Sequence, residues 1–398
     1  IRNDYQYTVH YYWNSTTEKA AEDKVVPNQT YNETITESPI TIKGYTPVNF
    51  GSQKMVIDTE NKTLTFYYYK NVGLTANSDT KVYNGQEQSV SGFTGAPEGA
   101  DFSAIQVGAK GTDAGEYLAA FAEGTIGTVD KTEKYIVKGA TDGKLTIKPV
   151  ADEVVVTIEG NHDSKVYDGT EHVVTGYEVT EISNVLYTKD NFSFSGNAEA
   201  KRTAVGKTDM GLTAANFKNE SANFSNVTFA VTDGYMEITP AGDAVVVTIE
   251  GNNASAVYDG TEHKVTGYTV VSISNKLYKE SDFSFSGTAE AKRTEAGTTY
   301  MGLTAEDFVN KSANFSNVTF KVTDGYMEIT PVMEEVVVTI IGNHDSKTYD
   351  GTEHKVTGYK VTDISNELYA EGDFDFSGTA EAKRTEAGTT YMGLTAED

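Results

Sequence analysis

The sequence predicts an all-β protein: a string of antiparallel β-sandwich repeats behind a small β-rich N-terminal domain. Three observations favour this class. Gly (36 residues), Tyr (25) and Phe (17) are abundant among the 398 residues, whereas Pro (7) is scarce and Cys is absent. A segment of 91 residues recurs along the chain. Within it, short runs of alternating polar and apolar residues are separated by turn residues, a pattern typical of strands.

The repeat is visible when the chain is compared with itself. Residues 167–172, Tyr-Asp-Gly-Thr-Glu-His, return at 258–263 and again at 349–354, each time 91 residues later. Residues 285–307 and 376–398 are identical. Such a long period is typical of independent domains, because solenoid units have only about 20–50 residues.

A fourth, diverged copy lies upstream, where Lys-Val-Tyr-Asn-Gly at 81–85 matches Lys-Val-Tyr-Asp-Gly at 165–169. The last copy stops about 25 residues short of a full period, so we expect a fragment of a longer protein. The predicted domains are 1–72 (the N-terminal module), 73–150 (the diverged repeat), 151–241, 242–332 and 333–398 (an incomplete repeat).

The elements of repeat 242–332 are predicted in chain order. The β-branched run at 245–249 indicates a buried opening strand, and Tyr-Asp-Gly-Thr at 258–261 a turn. Asp324-Gly325 predicts a hairpin turn between the last two strands, and 303–308 a single helical turn. Further strands are predicted at 264–270, 282–286, 296–301, 317–322 and 326–330. Six or seven short strands favour a sandwich of immunoglobulin type over a β-grasp, because no helical period is present.

The N-terminal module does not match the repeat. Alternation places five residues on one face of its first strand: Tyr5, Tyr7, Val9, Tyr11 and Trp13. Residues 63–70 form its last strand, and a β-grasp is an alternative for this domain. It has 8 acidic and 7 basic residues, so nearly all of the net charge of −26 lies in the repeats.

Composition excludes several function classes. Nucleic acid and anionic membranes are unfavourable partners for so acidic a chain, because binding to them requires basic surface. The sequence contains no run of 18 consecutive apolar residues, so we expect no insertion into a membrane. Without Cys there are no disulfides, thiolate metal sites or Cys nucleophiles. No Gly-x-Ser-x-Gly, P-loop or His-Glu-x-x-His motif is present, so we expect no enzyme.

Two aromatic residues of the N-terminal module are candidates for ligand binding. Tyr12 and Trp13 could stack on a sugar ring. Because alternation places Trp13 on the same face as Val9, packing in the core or a turn is the alternative for Trp13.

We expect no cofactor. The recurring histidines, His172, His263 and His354, are predicted to lie in solvated turns, because a metal site needs several converging ligands. Calcium at domain junctions is an alternative to a dispersed acidic surface. Its candidate ligands are Glu159, Asp163 and Asp243.

Internal covalent cross-links would compensate for the missing disulfides. Ester and thioester bonds require Gln, which the three close repeats lack. A Lys–Asn isopeptide bond is available in composition, with Lys201, Asn223, Lys292 and Asn314 as the candidates. The alternative is that the lysines, in an Ala-Glu-Ala-Lys-Arg context, are simply exposed.

Two families resemble parts of the chain. The N-terminal module resembles the MucBP-type repeat of Gram-positive surface proteins at 7–12, 42–46 and 64–70, over nearly all of 5–71. Residues 73–398 resemble the MBG/YDG-type repeats of bacterial adhesins. The matching motifs are Val-Tyr-Asp-Gly-Thr-Glu-His, an Ala-Gly…Tyr strand and an Asp-Gly-Tyr-Met-Glu-Ile-Thr-Pro ending. Asn84 and Asp209 depart from the pattern, which argues against a catalytic role for the recurring Asp or Tyr.

The resemblance implies an extracellular cell-surface adhesin or its stalk, attached to the cell wall through segments outside this chain. Its partner would be a host glycan, a mucin or another surface ligand. One alternative is a set of accessory, non-catalytic domains of a large secreted carbohydrate-active enzyme. Another is a filament subunit, in which exposed sheet edges accept a strand from a neighbouring copy.

Overall fold

The computed structural model describes residues 4–398. The all-β class is confirmed: this part of the chain has 37 strands, five 3-10 helices of three residues each and no α-helix. It forms two compact units. Unit 1 contains the residues through His162, Val173–Ala200 and Asp209–Met236, and unit 2 contains Asp163–His172, Lys201–Thr208 and Glu237–Asp398.

The N-terminal module is built on a central parallel pair of strands. Its strands are β1 Tyr5–Trp13, β2 Lys19–Gln29, β3 Thr34–Glu37, β4 Tyr45–Pro47, β5 Gln53–Val56 and β6 Lys62–Ala76. β1 pairs antiparallel with β2 and parallel with β6. The predicted alternation is confirmed, because Tyr7, Val9 and Tyr11 are buried together with Phe66 and Tyr68.

The diverged repeat shares a sheet with this module. Its strands are β7 Asp79–Val82, β8 Gln88–Ser91, β9 Phe93–Thr94, β10 Gly108–Gly111, β11 Gly115–Ala119, β12 Tyr135–Thr141 and β13 Gly143–Lys148. β6 continues through the predicted boundary at residue 72 and pairs in parallel with β12. The sheet order is β12-β6-β1-β2, with β4 and β9 also on β6. β11, β13 and β7 form a second sheet.

The next repeat contributes strands to both units. They are β14 Val154–Gly160, β15 His162–Val166, β16 His172–Thr175, β17 Tyr177–Ile182, β18 Phe192–Phe194, β19 Glu199–Arg202, β20 Gly206–Asp209, β21 Phe217–Asn219, β22 Val227–Thr232 and β23 Tyr235–Thr239. Its 3-10 helices are Lys189–Asn191 and Ala214–Asn216. In unit 1, β14 lies between β17 and β22, and its Val154, Val156 and Ile158 side chains are fully buried.

Repeat 242–332 lies wholly in unit 2 and shows the sandwich completely. Its strands are β24 Val245–Gly251, β25 Asn253–Val257, β26 His263–Thr266, β27 Tyr268–Ile273, β28 Phe283–Phe285, β29 Glu290–Arg293, β30 Gly297–Tyr300, β31 Phe308–Asn310, β32 Val318–Thr323 and β33 Tyr326–Thr330. Its 3-10 helices are Glu280–Asp282 and Ala305–Asp307. The main sheets have the orders β27-β24-β32 and β25-β33-β30. Each sheet buries one face, so two adjoining cores share Tyr268, Phe285 and Val322.

The pairing within this repeat is mixed, whereas the sequence predicted antiparallel sheets. β24 pairs antiparallel with β27 but parallel with β32, and β25 pairs parallel with β33. The first strands of the repeat therefore lie beside its last ones. Parallel neighbours require a long connection, and most of the repeat supplies it.

The predicted Asp-Gly hairpin is wrong. β32 and β33 flank Asp324-Gly325, but they belong to different sheets. A Cβ at position 325 would lie 2.5 Å from the carbonyl oxygen of Asn252, so glycine permits a close approach of two backbones. The Asp324 carboxylate accepts hydrogen bonds from the backbone N–H groups of Gly302 and Leu303, both at 2.9 Å.

The last segment, 333–398, contains fewer strands. They are β34 Val338–Gly342, β35 His354–Thr357, β36 Tyr359–Ile364 and β37 Glu381–Arg384, with a 3-10 helix at Glu371–Asp373. Within the described chain β34 has a single partner, β36, whereas the equivalent strands β14 and β24 each have two. As a result Ile340 is 40% exposed, although its equivalent Ile249 is fully buried.

Candidate functional site

A row of three rings lies on the outer face of the N-terminal module. The parallel register sets Tyr12 of β1 opposite Tyr67 of β6, with their ring centroids 6.4 Å apart. The His10 ring lies 5.7 Å from Tyr12 on the other side, and Tyr67 is 47% exposed. Side chains of this kind, apolar on their faces and polar at their tips, suit contact with a partly polar ligand. Sequence reasoning missed Tyr67, because only the register of two distant strands brings it to Tyr12.

Trp13 does not belong to this aromatic row. Its indole Nε1–H donates a hydrogen bond to the backbone oxygen of Lys134 at 2.7 Å. The ring meets Tyr135 edge-on at 5.3 Å, and the Lys70 ammonium lies 5.4 Å from its centroid. These contacts within unit 1 match the packing alternative for Trp13.

Consecutive repeats meet at a joint, first in unit 1. The side-chain oxygen of Asn223 accepts a hydrogen bond from the backbone N–H of Ala114 at 2.6 Å. Its amide nitrogen donates to a carboxylate oxygen of Asp113 at 2.9 Å. The next residue, Phe224, is buried and packs edge-on against Tyr83 at 5.6 Å and Tyr187 at 5.1 Å.

The same joint is built again in unit 2. Asn314 accepts a hydrogen bond from the backbone N–H of Val205 at 2.9 Å. Phe315 packs edge-on against Tyr167 of the preceding repeat at 5.5 Å and against Tyr278 of its own repeat at 5.2 Å. In both joints the Asn and Phe come from the sequence Ser-Ala-Asn-Phe-Ser, at 221–225 and 312–316. We call these the Asn-Phe segments.

The linkers between the repeats are held by the same segments. In unit 2 the Ala241 N–H donates to the Asn314 carbonyl at 2.9 Å, and the Ser316 N–H donates to the Ala241 carbonyl at 3.1 Å. Val150 is held in the same way in unit 1, as an isolated parallel bridge to Phe224. Backbone bonds, one amide side chain and one buried ring therefore fix each joint, which leaves little freedom for a hinge.

The isopeptide candidates lie in different surroundings. The amides of Asn223 and Asn314 are engaged in the joints. Lys292 is exposed, and its Nζ lies 3.0 Å from Glu290; Lys201 lies on β19. The isopeptide bond stays a prediction, which intact mass tests through the loss of one ammonia per bond.

The recurring histidines, His172, His263 and His354, are half-buried and are the first residues of strands β16, β26 and β35, just after the Asp-Gly-Thr turns. The Asp259 carboxylate oxygen accepts hydrogen bonds from the Thr261 hydroxyl at 2.7 Å and from the Thr261 N–H at 2.9 Å. The His263 Nε2 lies 3.0 Å from the same oxygen. These interactions, led by the Thr261 hydroxyl, lower the pKa of Asp259 to about 2. Asp168 and Asp350 are held alike, with pKa values of about 2.

This turn predicts an acid-dependent stability. Because the pKa of Asp259 falls from 3.8 to about 2 on folding, its ionised form stabilises the fold above pH 3.8, and this contribution disappears toward pH 2. Asp259→Asn should therefore lower the melting temperature at pH 7 but not at pH 2. Asn84 shows that an amide can hold the turn, since it accepts the N–H of Gln86 at 3.0 Å. If Asp259→Asn lowered the melting temperature equally at pH 7 and pH 2, the ionised Asp259 carboxylate would not be the stabilising group.

Among residues 4–398, no group of three His, Cys, Asp or Glu side chains is arranged to hold a metal ion. Asp163 instead pairs with Lys165 at 3.1 Å. The calcium sites at domain junctions remain a prediction. No helix in the same part of the chain is long and apolar enough to cross a membrane.

Comparisons with known proteins give little. No protein-family model matches the chain, and no curated protein matches it. Among solved structures, the chain is similar to the N-terminal eight Ig domains of the Down syndrome cell adhesion molecule, isoform 1.30.30, with a TM-score of 0.16 and 10% identity. That match covers 90% of this chain and 60% of the other. So remote a likeness carries no argument about function, and the MucBP and MBG/YDG resemblances stay predictions.

Proposed function

We propose that the chain is the ligand-binding and stalk part of a bacterial cell-surface adhesin, and not an enzyme. One observation supports the stalk: the joint between repeats is built twice, each time from an Asn-Phe segment, two tyrosine rings and a loop N–H group. A linker that is fixed by hydrogen bonds and a buried ring restricts the movement of one repeat relative to the next. Such repeats would hold the N-terminal module away from a cell wall.

The aromatic row supplies the binding part of the proposal. Tyr12 and Tyr67 lie side by side on an outer sheet face. Neither side chain is buried in the core, so core packing does not account for an aromatic residue at these two positions. We propose that this row contacts a host glycan or mucin. The families that the sequence resembles agree with an extracellular protein that is attached to the cell wall. Accessory domains of a secreted carbohydrate-active enzyme and a strand-exchanging filament stay as alternatives.

A glycan array and purified mucin, probed with residues 1–398, test the binding part. The double variant Tyr12→Ala/Tyr67→Ala should bind the recognised glycan at least tenfold more weakly, corresponding to about 1.4 kcal/mol. Tyr31→Ala removes another exposed tyrosine of the same module and should leave binding unchanged. If the protein bound neither mucin nor any glycan on the array, the proposal that the aromatic row contacts a glycan or mucin would be wrong.

Small-angle scattering tests the stalk separately. An extended particle is expected for residues 1–398. Asn314→Ala removes the side-chain hydrogen bond of one joint and should therefore broaden the distribution of interatomic distances. A compact particle would overturn the stalk even if the N-terminal module bound a glycan.

A further inference from the structure

One turn of the diverged repeat carries an amide where the other repeats carry a carboxylate. Asn84-Gly85 occupies the position of the Asp-Gly pairs at 168–169, 259–260 and 350–351, and it is the one Asn-Gly pair in the sequence. The Asn84 side chain is exposed. An asparagine that precedes glycine is open to attack by the backbone, because glycine has no Cβ to hinder the approach.

The hydrogen bond of this turn arranges the reacting groups. The Asn84 side-chain oxygen accepts the backbone N–H of Gln86 at 3.0 Å. This bond folds the asparagine side chain back over the chain, so that its amide carbon lies beside the peptide nitrogen of Gly85. The Gln86 N–H is also placed to stabilise negative charge that develops on the side-chain oxygen during an attack, as backbone donors do in oxyanion holes.

The two nitrogen atoms that must react are unrestrained. Within residues 4–398, neither the Asn84 side-chain nitrogen nor the Gly85 backbone nitrogen donates a hydrogen bond. The two asparagines that precede a serine are held differently: the side-chain nitrogens of Asn14 and Asn77 donate to backbone carbonyls at 2.7 and 2.9 Å. Ammonia can therefore leave Asn84 without the loss of a hydrogen bond that the fold uses.

We propose that Asn84 is a site of spontaneous covalent modification, at which the folded chain converts this asparagine into aspartate and isoaspartate. The Gly85 nitrogen gives its proton to solvent hydroxide and bonds to the Asn84 amide carbon. The bond from that carbon to the side-chain nitrogen breaks, and this nitrogen takes a proton from water and leaves as ammonia. Water then opens the remaining succinimide ring. Its addition at the side-chain carbon gives aspartate, and its addition at the backbone carbon gives isoaspartate.

The products act on the joint with the following repeat. Tyr83, which precedes the modified residue, packs edge-on against Phe224 at 5.6 Å. On the other side, a Cβ at Gly85 would lie 3.0 Å from a methyl carbon of Leu186. Aspartate reproduces the turn of Asp168, whereas isoaspartate lengthens the backbone by one carbon between these two contacts. The conversion is independent of what the N-terminal module recognises.

Peptide mapping by mass spectrometry tests the proposal on the protein 1–398 after incubation at pH 8 and 37 °C. The peptide that contains residue 84 should exchange an amino group for a hydroxyl group and separate into aspartate and isoaspartate forms. In water enriched in oxygen-18, each product should gain one heavy oxygen atom. A folded protein in which Asn84 stays unchanged, while the urea-unfolded protein converts, would overturn the proposal.

Asn184 is the internal control. Its side-chain oxygen accepts the Leu186 N–H at 2.9 Å, as that of Asn84 accepts the Gln86 N–H, but Val185 follows it. The branched valine side chain hinders the attack, so conversion at Asn84 should be at least tenfold faster. Equal rates at the two asparagines would contradict a specific site at Asn84.

One variant transfers the reaction to the control turn. Val185 is 95% exposed, so Val185→Gly removes the hindrance at Asn184 without a loss of buried side chain. Asn184 should then convert at least tenfold faster than in the wild type, while conversion at Asn84 in the same molecules stays unchanged. If the rate at Asn184 did not rise, a side-chain hydrogen bond followed by glycine would not be enough for the reaction, and the proposed mechanism would be wrong.

Discussion

Phe315→Ala should lower the free energy of unfolding of repeat 242–332 by about 3–5 kcal/mol, the range for truncating a buried phenylalanine. Phe315 is buried at the point where the core of this repeat meets Tyr167 of the preceding one. Alanine would remove its edge-on contacts with Tyr167 and Tyr278 and leave a cavity that the fixed linker cannot close. Denaturant unfolding followed by hydrogen exchange measures the loss in this repeat.

Two comparisons separate the joint from the core. Val309→Ala changes a 44% exposed side chain of the same repeat and should cost less than about 0.5 kcal/mol. A double-mutant cycle between Phe315→Ala and Tyr167→Ala should give a coupling of about 0.5–1.5 kcal/mol, as aromatic pairs do. Strictly additive losses would show that the two repeats are not coupled through this ring pair.

Asp130→Ala should cost the diverged repeat about 3 kcal/mol or more. The Asp130 carboxylate is almost fully buried and accepts hydrogen bonds from the N–H groups of Lys134 and Tyr135, both at 2.8 Å. Thr132 donates to it through its hydroxyl and its N–H, and the N–H of Asp101 donates from the facing loop. Alanine would leave these donors without an acceptor, and each buried unpaired donor costs about 1–3 kcal/mol.

The ionisation of Asp130 follows from the same contacts. Burial alone would raise its pKa, but the hydrogen bonds from Thr132, Tyr135 and Lys134 outweigh burial and hold the pKa below its usual value. Its stabilisation is therefore present near neutral pH and is lost on acidification.

Thermal and urea unfolding at pH 7 measure the cost of the Asp130 substitutions. Asp130→Asn keeps one acceptor oxygen, so its free energy of unfolding should lie between those of the wild type and Asp130→Ala. Asp101→Ala is the control: its carboxylate is 44% exposed and accepts the Ser103 N–H at 3.0 Å, so about 0.5–1.5 kcal/mol is expected. Equal losses in Asp101→Ala and Asp130→Ala would contradict a special role for the buried carboxylate.

Local patterns predicted much of the fold. The alternation through Tyr7, Val9 and Tyr11 identified β1 and its buried face, since successive strand residues point to opposite sides. The β-branched run at 245–249 identified β24 in the same way. The helical turn expected at 303–308 is a 3-10 helix, Ala305–Asp307.

Pairing between distant strands could not be predicted. A turn residue reports its own backbone geometry, so Asp324-Gly325 predicted a hairpin although the chain there passes from one sheet to the other. The parallel pairs of β24 with β32 and β1 with β6 depend on contacts far apart in sequence.

The joint between repeats could not be predicted from the recurrence of Asn223 and Asn314. From the sequence, the two residues are candidates for an isopeptide bond within one domain, and that bond stays a prediction. The structure engages both side chains with a loop of the preceding repeat. A residue can therefore recur in every copy because it forms the contact between neighbouring copies, and not because it takes part in chemistry within each copy.

The joint also bears on how such a chain can change its length. Residues 242–332 carry both halves of the contact: Asn314 and Phe315 face the preceding copy, while Tyr258 and Ala296 face the following one. Duplication or deletion of one whole 91-residue unit by recombination would bring the same two halves together again. The number of copies can then drift between related genes without any new interface having to evolve.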